Sequence, residues 1–235
     1  MITFLVPTYN EKDNINLFTN SIKKLSLNFK YNILFVDDNS IDGTQEELKR
    51  IKKLFSNVDY IIRREKKRDL TQSLVIGFNN VKDKYIFVLD CDLQHDYKKI
   101  QLVFDTFVKE DCDLIIGSRF INNKQNIGLS KKRTLESRVG IYFCKLIGVN
   151  KFSDPLSGFF LIKTSVVKKI KNKIDTYGFK ILLTILFLSN NKISIKEMPI
   201  EFKKRQYGFS KLDFKVRFLF LKQILKLFFY KLTKY

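Results

Sequence analysis

The sequence VLDCDLQH, residues 88–95, joins the end of an apolar segment to two aspartates that are separated by one residue. The apolar residues at 85–89 predict a buried β-strand, and side chains at i and i+2 of a strand point the same way. Asp90 and Asp92 can therefore approach one cation from the same side. Mg²⁺ and Mn²⁺ prefer oxygen ligands and usually bind one or two carboxylates together with substrate phosphates. The segment predicts either such a metal site or a polar turn that only closes the strand, and other segments must decide between them.

Strands and helices alternate through the first half of the chain. Continuous apolar runs predict strands at residues 2–6, 31–36, 58–62, 85–89 and 113–117. Amphipathic segments between them predict helices at about 13–25, 44–55, 69–80 and 97–109. Asp13 is expected to cap the first helix, and Thr44 with Glu47 and Asp69 with Gln72 have the spacing of capping boxes. The alternation predicts an α/β fold, in which a mostly parallel sheet with right-handed crossovers has helices on both faces.

Polar residues follow these strands and are expected to meet at one edge of the sheet, because such sheets bind ligands beyond the carboxyl ends of their strands. They lie at 9–11, 37–38, 90–95 and 118–119. Pro7, Tyr9, Glu11 and Asp38 suit a nucleotide diphosphate, with Asp38 accepting a hydrogen bond from a base or ribose. The chain lacks the glycine-rich sequences of Rossmann and P-loop sites, so this site would use a cation instead.

The second half of the chain is less regular. It predicts a helix at 130–148 that carries Arg133 and Ser137, and a turn-rich loop at 153–158. A short strand at 159–162, an apolar helix at 178–189 and a strand at 193–198 are expected to follow. Residues 212–235 predict one long basic and aromatic helix.

The composition constrains the partners of the protein. Its 235 residues carry a formal net charge of +20, which favours an anionic partner, although a coding bias toward lysine also raises the charge. The sequence has no signature of an RNA-binding, zinc-finger or helix-turn-helix module, so we expect no nucleic-acid partner. Three scattered cysteines indicate a reducing compartment. We expect no signal peptide and no transmembrane segment.

Several segments, in register along the chain, resemble the family 2 glycosyltransferases of GT-A fold and, among them, the dolichol-phosphate (polyprenyl-phosphate) mannose synthases. They are PTYNE at 7–11, VDDNS at 36–40, DGT at 42–44, DCDLQH at 90–95 and GSR at 117–119. SDPLSGFF at 153–160 is similar to the acceptor-side loop of these synthases, and residues 197–211 to their late basic motif. The resemblance implies a GT-A (Rossmann-like) catalytic domain at 1–211 with an appended helix at 212–235.

The resemblance also implies roles for individual residues. Nucleotide-sugar binding is implied for Pro7, Tyr9, Glu11, Val36, Asp38, Asp90, Cys91, Asp92, Arg119, Arg205 and Lys211. A Mg²⁺ or Mn²⁺ ion is implied at Asp90, Asp92 and Gln94, and a lipid phosphate at Arg119, Arg133 and Ser137. Asp92, Arg119 and Arg205 are the implied catalytic residues. Two positions depart from the family pattern. Cys91 stands where the family usually has alanine, which changes little if only the backbone is used. The family often has prolines after the residue that matches His95, and their absence here leaves the shape of the next loop open.

The implied activity is inverting transfer of a sugar, with mannose from GDP-mannose favoured, onto a polyprenyl (dolichyl-type) monophosphate. A lipid phosphate is already anionic, so catalysis would need positioning and charge stabilisation but no general base. Two alternatives stay open: another donor such as UDP-glucose, or a saccharide acceptor, for which Asp154 is the candidate base. The enzyme is expected to be peripheral on the cytoplasmic face of a membrane, with a membrane partner subunit as a further possibility.

The last predicted helix has an apolar stripe and a narrow lysine face. The stripe consists of Phe214, Phe218, Leu221, Leu225, Phe228 and Leu232, which recur at helical spacing. Lys215, Lys222 and Lys226 share the narrow face. We expect this helix to lie at a membrane interface with its lysines toward anionic headgroups, or to contact a partner subunit. Packing on the catalytic domain is the alternative.

Overall fold

The computed structural model describes residues 1–65, 67–121, 128, 130–170, 180–189, 192–205, 207 and 214–233. Its strands are β1 Ile2–Thr8, β2 Tyr31–Asp37, β3 Val58–Ile62, β4 Tyr85–Val88, β5 Leu114–Ser118, β6 Phe160–Lys163 and β7 Ile195–Pro199. Its α-helices are α1 Lys12–Lys23, α2 Thr44–Leu54, α3 Leu70–Asn80, α4 Ile100–Lys109, α5 Lys131–Leu146, α6 Thr164–Ile170, α7 Ile181–Ser189 and α8 Phe214–Leu232. Helix α6 was not predicted, and a 3₁₀ turn at Tyr97–Lys99 replaces the predicted start of α4.

These strands form one sheet in the order β3-β2-β1-β4-β6-β5-β7. The pairs β1–β2, β1–β4, β2–β3 and β5–β7 are parallel, which confirms the predicted mostly parallel sheet. Strand β6 runs antiparallel to both β4 and β5. Because β6 is reversed, it begins at the edge where the parallel strands end. The loop before β6, residues 153–158, therefore lies beside the loops that follow β4 and β5.

Helices cover both faces of the sheet, as predicted, and β1 shows the arrangement. Its side chains alternate between the faces, because successive residues of a strand point to opposite sides. Leu5 belongs to a core that includes Leu74 of α3 and Leu183 of α7. Phe4 belongs to the opposite core, together with Phe18 of α1. Burial on both faces explains why the strand is one continuous apolar run.

The predicted helix caps have mixed outcomes. Helix α1 begins one residue before Asp13, so Asp13 lies in its first turn and is not the cap. The capping box at Thr44 is also wrong, because Thr44 is the first helical residue and its hydroxyl donates to Asp42 Oδ1 at 2.5 Å. Asp69 does cap α3, since its Oδ1 accepts from the backbone N–H of Gln72 at 3.0 Å.

The backbone turns sharply after β1, β2 and β4. Asn10, Asn39 and Leu93 have φ angles of 50°, 59° and 61°, in the left-handed region. Asparagine adopts this region with little difficulty, whereas leucine does so rarely. The turn at Leu93 folds the chain back, so that the N–H of Gln94 donates to Asp92 Oδ1 at 3.1 Å.

Helix α8 packs on the protein through one face and exposes another. Ile224 and Leu227 belong to the core that contains α3 and α7. The predicted stripe lies on the exposed side, where the large apolar residues are Phe214, Phe218, Leu221, Leu225, Phe228, Phe229 and Leu232. Lys222 and Lys226 are also exposed, and the side chain of Lys215 lies outside the described residues. Of the helices in the described ranges, none has the length and apolar character to cross a bilayer.

Gly117 gives a test of the packing at the end of β5. A Cβ at this position would lie 2.4 Å from Cδ1 of Phe159, a ring that is fully buried. We expect Gly117→Ala to lower the free energy of unfolding by about 1–3 kcal/mol through overpacking, measured by urea denaturation.

The matched control is a double-mutant cycle with Phe159→Leu, which removes ring atoms from the clash. The leucine substitution should destabilise the alanine variant less than it destabilises the wild type. Additive effects would show that Gly117 and Phe159 do not compete for this space.

Candidate active site

A cavity of about 540 Å³ opens at the carboxyl edge of the sheet. Its polar wall includes residues that follow β4 and β5 and residues of α5, namely Asp90, Asp92, Gln94, Arg119, Arg133 and Ser137, together with Lys180 and Arg205. Apolar residues of α3, α5 and α8 line the remainder, among them Leu74, Val139, Phe143, Val216, Phe220 and Leu221. The cavity therefore combines a charged region with an apolar wall.

The residues predicted to hold a metal lie together in this cavity. The side chain of Asp90 is 39% exposed, whereas that of Asp92 is 7% exposed. The side-chain amide of Gln94 donates to the carbonyl of Lys203 at 2.9 Å, which joins the motif to the chain after β7. Within the described part of the chain, no group of three or more His, Cys, Asp or Glu side chains is arranged as a metal site. The predicted ligand set thus consists of two carboxylates and one amide.

Arg205 brings the metal motif and the loop after β1 together. Its Nη2 lies 2.5 Å from Asp92 Oδ2, and its Nη1 lies 3.7 Å from Glu11 Oε1. Burial raises the pKa of Asp92 and the carboxylate of Asp90 raises it further, whereas Arg205 acts in the opposite direction. Arg205 thus lowers the cost of a buried carboxylate. Lys211, predicted to act beside Arg205, lies outside the described residues.

Gly158 leaves the space that the Asp90 carboxylate occupies. A Cβ on Gly158 would lie 2.6 Å from Asp90 Oδ2, too close for the two to coexist without a shift. The oxygen donors of Asp90 and Asp92 are also those that a hard divalent cation prefers. The residues present therefore fit the predicted Mg²⁺ or Mn²⁺ ion.

His95 fixes the loop that carries the metal motif. Its Nδ1 accepts from the backbone N–H of Asp90 at 3.3 Å, and its Nε2 lies 3.4 Å from Asp90 Oδ2. The buried ring packs edge-on against Phe159, with ring centroids 5.4 Å apart. The only histidine of the chain therefore orients Asp90.

Arg119 and Asp154 form a buried, two-pronged ion pair at the same edge. Arg119 Nε donates to Asp154 Oδ2 at 2.6 Å, and Nη2 donates to Oδ1 at 2.8 Å. The backbone N–H of Arg119 also donates to Oδ2 at 3.2 Å. The side chain of Asp154 is fully buried and that of Arg119 is 12% exposed. The pair fixes the guanidinium of Arg119 at the cavity wall, and both carboxylate oxygens of Asp154 accept hydrogen bonds from Arg119.

Glu197 of β7 holds the turn that carries Asp154. Its carboxylate accepts from the backbone N–H groups of Ser153 and Asp154 at 2.8 and 3.1 Å, and from the Ser153 hydroxyl at 3.0 Å. No role for Glu197 follows from the sequence. An acidic side chain inside a predicted strand was the signal, but its partners lie more than forty residues earlier in the chain.

Asp38 is also engaged inside the protein. Arg63 Nε donates to Asp38 Oδ1 at 2.6 Å, and the backbone N–H of Asp69 donates to Oδ2 at 2.7 Å. Burial raises the pKa of Asp38, and these two donors lower it. No sequence motif pointed to Arg63, which directly follows β3. Asp38 therefore joins the end of β2 to the start of α3.

The other predicted nucleotide contacts lie at the ends of β1 and β2. Pro7 and Val36 are direct neighbours in the parallel register. The guanidinium of Arg68 lies over the ring of Tyr9, and the distance from Arg68 Cζ to the ring centroid is 4.7 Å. Cys91 is buried in the core, so its side chain does not line the cavity.

Helix α5 places the predicted phosphate-binding residues on the cavity wall. The hydroxyl of Ser130 caps the helix by accepting from the N–H of Arg133 at 3.3 Å. Arg133 and Ser137 are one helical turn apart and both line the cavity. Burial lowers the pKa of Arg133, and the positive charge of Arg205 lowers it further. The structure thus brings the arginines predicted from the sequence, Arg119, Arg133 and Arg205, to one cavity.

The sequence profile of Glycosyl transferase family 2 matches residues 3–171, which include this cavity's strand-end motifs. The chain belongs to this family. The protein is therefore a glycosyltransferase, which confirms the predicted enzyme class.

Curated relatives of this glycosyltransferase are dolichol-phosphate mannosyltransferases. The Pyrococcus furiosus protein is 29% identical over 228 residues, which are 96% of this chain and 63% of the relative. The Saccharomyces cerevisiae protein is 30% identical in an alignment of 237 positions, gaps included, that covers 97% of this chain and 86% of the relative. The chain thus spans less than two thirds of the archaeal relative's length.

Solved structures support the GT-A fold of the glycosyltransferase. Glucosyl-3-phosphoglycerate synthase from Mycobacterium tuberculosis, in complex with Mn²⁺, UDP-glucose and phosphoglyceric acid, is similar with a TM-score of 0.71 at 13% identity. The match covers 98% of this chain and 79% of that one. Staphylococcus aureus TarS in complex with UDP-GlcNAc is similar with a TM-score of 0.64.

The Arg119–Asp154 pair gives a prediction about stability. Asp154→Asn removes one charge from a buried pair, so we expect a loss of about 3–5 kcal/mol in the free energy of unfolding, measured in urea. Asp111→Asn is the control, because Asp111 forms an ion pair with Lys163 at the surface and its side chain is 92% exposed. This substitution should lower the free energy of unfolding by only about 0–1 kcal/mol. Equal effects of the two substitutions would contradict the role of burial.

Proposed function

We propose that this glycosyltransferase moves mannose from GDP-mannose onto a polyprenyl monophosphate of the dolichyl type. The observation that carries the proposal is that Arg119 occupies both carboxylate oxygens of Asp154. A hydroxyl acceptor needs a general base, and Asp154 was the candidate for that role. A phosphate acceptor instead needs cations, and Arg119 and Arg133 line the cavity. The names of the curated relatives also support this acceptor.

The donor is proposed to lie over the ends of β1, β2 and β4. The nucleotide contacts are proposed at Pro7, Tyr9, Glu11, Val36 and the backbone of Cys91. Asp38, which already accepts from Arg63 and Asp69, would instead hold the end of β2 in place. Asp90, Asp92 and Gln94 would hold Mg²⁺ or Mn²⁺, which when bound neutralises charge on the donor diphosphate. Arg205 adds positive charge beside the same group. The resemblance implies the same role for Lys211, which lies outside the described residues.

The proposed reaction is a single in-line displacement. An oxygen of the acceptor phosphate forms a bond to the anomeric carbon of mannose, while the bond from that carbon to the β-phosphate oxygen of the donor breaks. GDP leaves with the electron pair, and the configuration at the anomeric carbon inverts. Arg119, Arg133 and Ser137 orient the attacking phosphate, and Arg205 stabilises the charge that develops on the leaving diphosphate.

A radiolabel transfer assay tests the donor and the acceptor together. The protein is incubated with labelled GDP-mannose or UDP-glucose, with Mg²⁺ or Mn²⁺, and with or without dolichyl or undecaprenyl phosphate. We expect a labelled lipid only when GDP-mannose, metal and a polyprenyl phosphate are all present. Transfer from UDP-glucose would replace the proposed donor. Transfer to a soluble glycan and never to a lipid phosphate would reject the proposed acceptor.

Asp92→Asn tests the proposed metal site. We expect the variant to fold, with a melting temperature close to that of the wild type, and to lose metal-dependent transfer by about 100-fold or more. Asp59→Asn is the control, because Asp59 is a surface residue whose side chain is 61% exposed. Near-normal transfer by the Asp92 variant would remove Asp92 from the site.

We further propose that the enzyme docks on the cytoplasmic face of a membrane through α5 and α8. Helix α5 exposes an apolar stripe at i, i+4, i+7 and i+11, formed by Leu135, Val139, Tyr142 and Leu146. Both α5 and α8 also contribute apolar residues to the cavity wall. Exposed lysines on α8 suit anionic headgroups, and a lipid acceptor requires access from a bilayer.

Vesicle flotation tests this surface. The double variants Tyr142→Ser/Leu146→Ser and Phe218→Ser/Phe229→Ser should each bind phosphatidylserine-containing vesicles at least about tenfold more weakly than the wild type. Ile41→Ser is the control, because Ile41 is 86% exposed and lies far along the chain from both helices. Unchanged flotation of both double variants would show that these faces do not bind lipid and would favour a protein partner.

A further inference from the structure

Lys180 is a cavity residue that the proposed mechanism does not yet use. It lies directly before α7, and its side chain forms part of the wall that also contains Arg119, Arg133 and Ser137. Its amine donates to the carbonyl of Leu156 at 3.2 Å, in the loop that also carries Asp154. Burial lowers the pKa of Lys180, and the nearby guanidinium of Arg119 lowers it further. These surroundings therefore disfavour the charged form of Lys180, which an anion in the cavity would stabilise.

The charges of the cavity wall show what this ammonium group can do. The described cationic residues of the wall are Arg119, Arg133, Lys180, Arg205 and Arg217. Arg119 pairs with Asp154, Arg205 with Asp92 and Arg217 with Glu136. Among the described residues, no carboxylate forms a salt bridge with Lys180. The amine has three donors, and the bond to Leu156 uses one of them.

Helix α8 determines where Lys180 lies. The side-chain amide of Gln223 donates to the backbone carbonyl of Lys180 at 2.9 Å and to the hydroxyl of Thr184 at 2.9 Å. Gln223 is 7% exposed, so these bonds are sheltered from water. They attach the beginning of α7 to α8, the helix whose other face carries the exposed apolar stripe. Displacement of α8 would therefore move the backbone of Lys180.

We propose that Lys180 binds the phosphate of the acceptor beside Arg119 and Arg133, and that Gln223 positions Lys180 for this contact. The inference rests on the proposed function and adds a residue to its acceptor site. Because Asp154 neutralises Arg119, a phosphate that carries up to two negative charges needs further positive charge in the cavity. Lys180 supplies that charge without a carboxylate partner to displace. Its contact with α8 makes acceptor binding depend on the helix that is proposed to face the membrane.

Steady-state kinetics with dolichyl phosphate and GDP-mannose test the proposal. Lys180→Met keeps most of the apolar side chain and removes the charge, so it should fold at least as well as the wild type. We expect the KM for the acceptor to rise about tenfold or more, because the variant loses a hydrogen bond to a charged group. The KM for GDP-mannose should stay within about twofold of the wild-type value. Gln223→Leu should raise the acceptor KM in the same direction. Lys49→Ala is the control, because Lys49 is exposed on α2.

A binding measurement on the same variants needs no turnover. Farnesyl phosphate should raise the melting temperature of the wild type, and this shift should be lost in Lys180→Met. Farnesol is the control for binding of the apolar chain alone, and inorganic phosphate is the control for binding of the free anion. An unchanged acceptor KM and an unchanged farnesyl phosphate shift in folded Lys180→Met would overturn the inference and leave the proposed function intact. A wild type that transfers no mannose to dolichyl phosphate would instead reject the proposed function.

Discussion

One wall of the cavity in this glycosyltransferase depends on a buried ion pair. Asp154 is fully enclosed and holds the guanidinium of Arg119 through both carboxylate oxygens. A buried charge of this kind is stable only when its partners are fixed, because desolvation makes an unpaired carboxylate costly. Glu197 supplies that fixation by accepting from the turn that contains Asp154. The pair therefore links β5, the loop before β6 and β7 into one rigid wall of the cavity.

The direction of β6 brings this wall into the site. A parallel strand in its place would begin at the opposite edge of the sheet, and the loop with Asp154 and Gly158 would lie far from Asp90. The reversal instead puts the start of β6 beside the end of β4, where Gly158 leaves room for the Asp90 carboxylate. The two halves of the site, one from the ends of β1, β2 and β4 and one from the connection before β6, thus face each other across the cavity.

The sequence was sufficient for the features that are periodic or local, and insufficient for those that depend on distant partners. The first five strands and the placement of Asp90 and Asp92 follow from apolar runs and strand geometry. The cap at Thr44 was wrong because Asp42 offers its hydroxyl another partner. The direction of β6 cannot be read from a strand of four residues. The roles of Asp154 and Glu197 depend on partners that lie dozens of residues away in the chain. The face of α8 that packs on the core could not be separated from its stripe, because both faces are apolar.

The long connection between β5 and β6 has a consequence for how such enzymes can diversify. These two strands are sequential and antiparallel neighbours, so the whole of residues 119–159 is the loop of a hairpin. Arg119, Arg133, Ser137 and Asp154 all lie in it, whereas the carboxylates of the metal motif lie outside it. A genetic exchange confined to this insertion would leave the hydrogen-bonded ladder of the sheet untouched. Sequence changes in this connection can therefore alter the arginines on the cavity wall while the pairing of the strands stays the same.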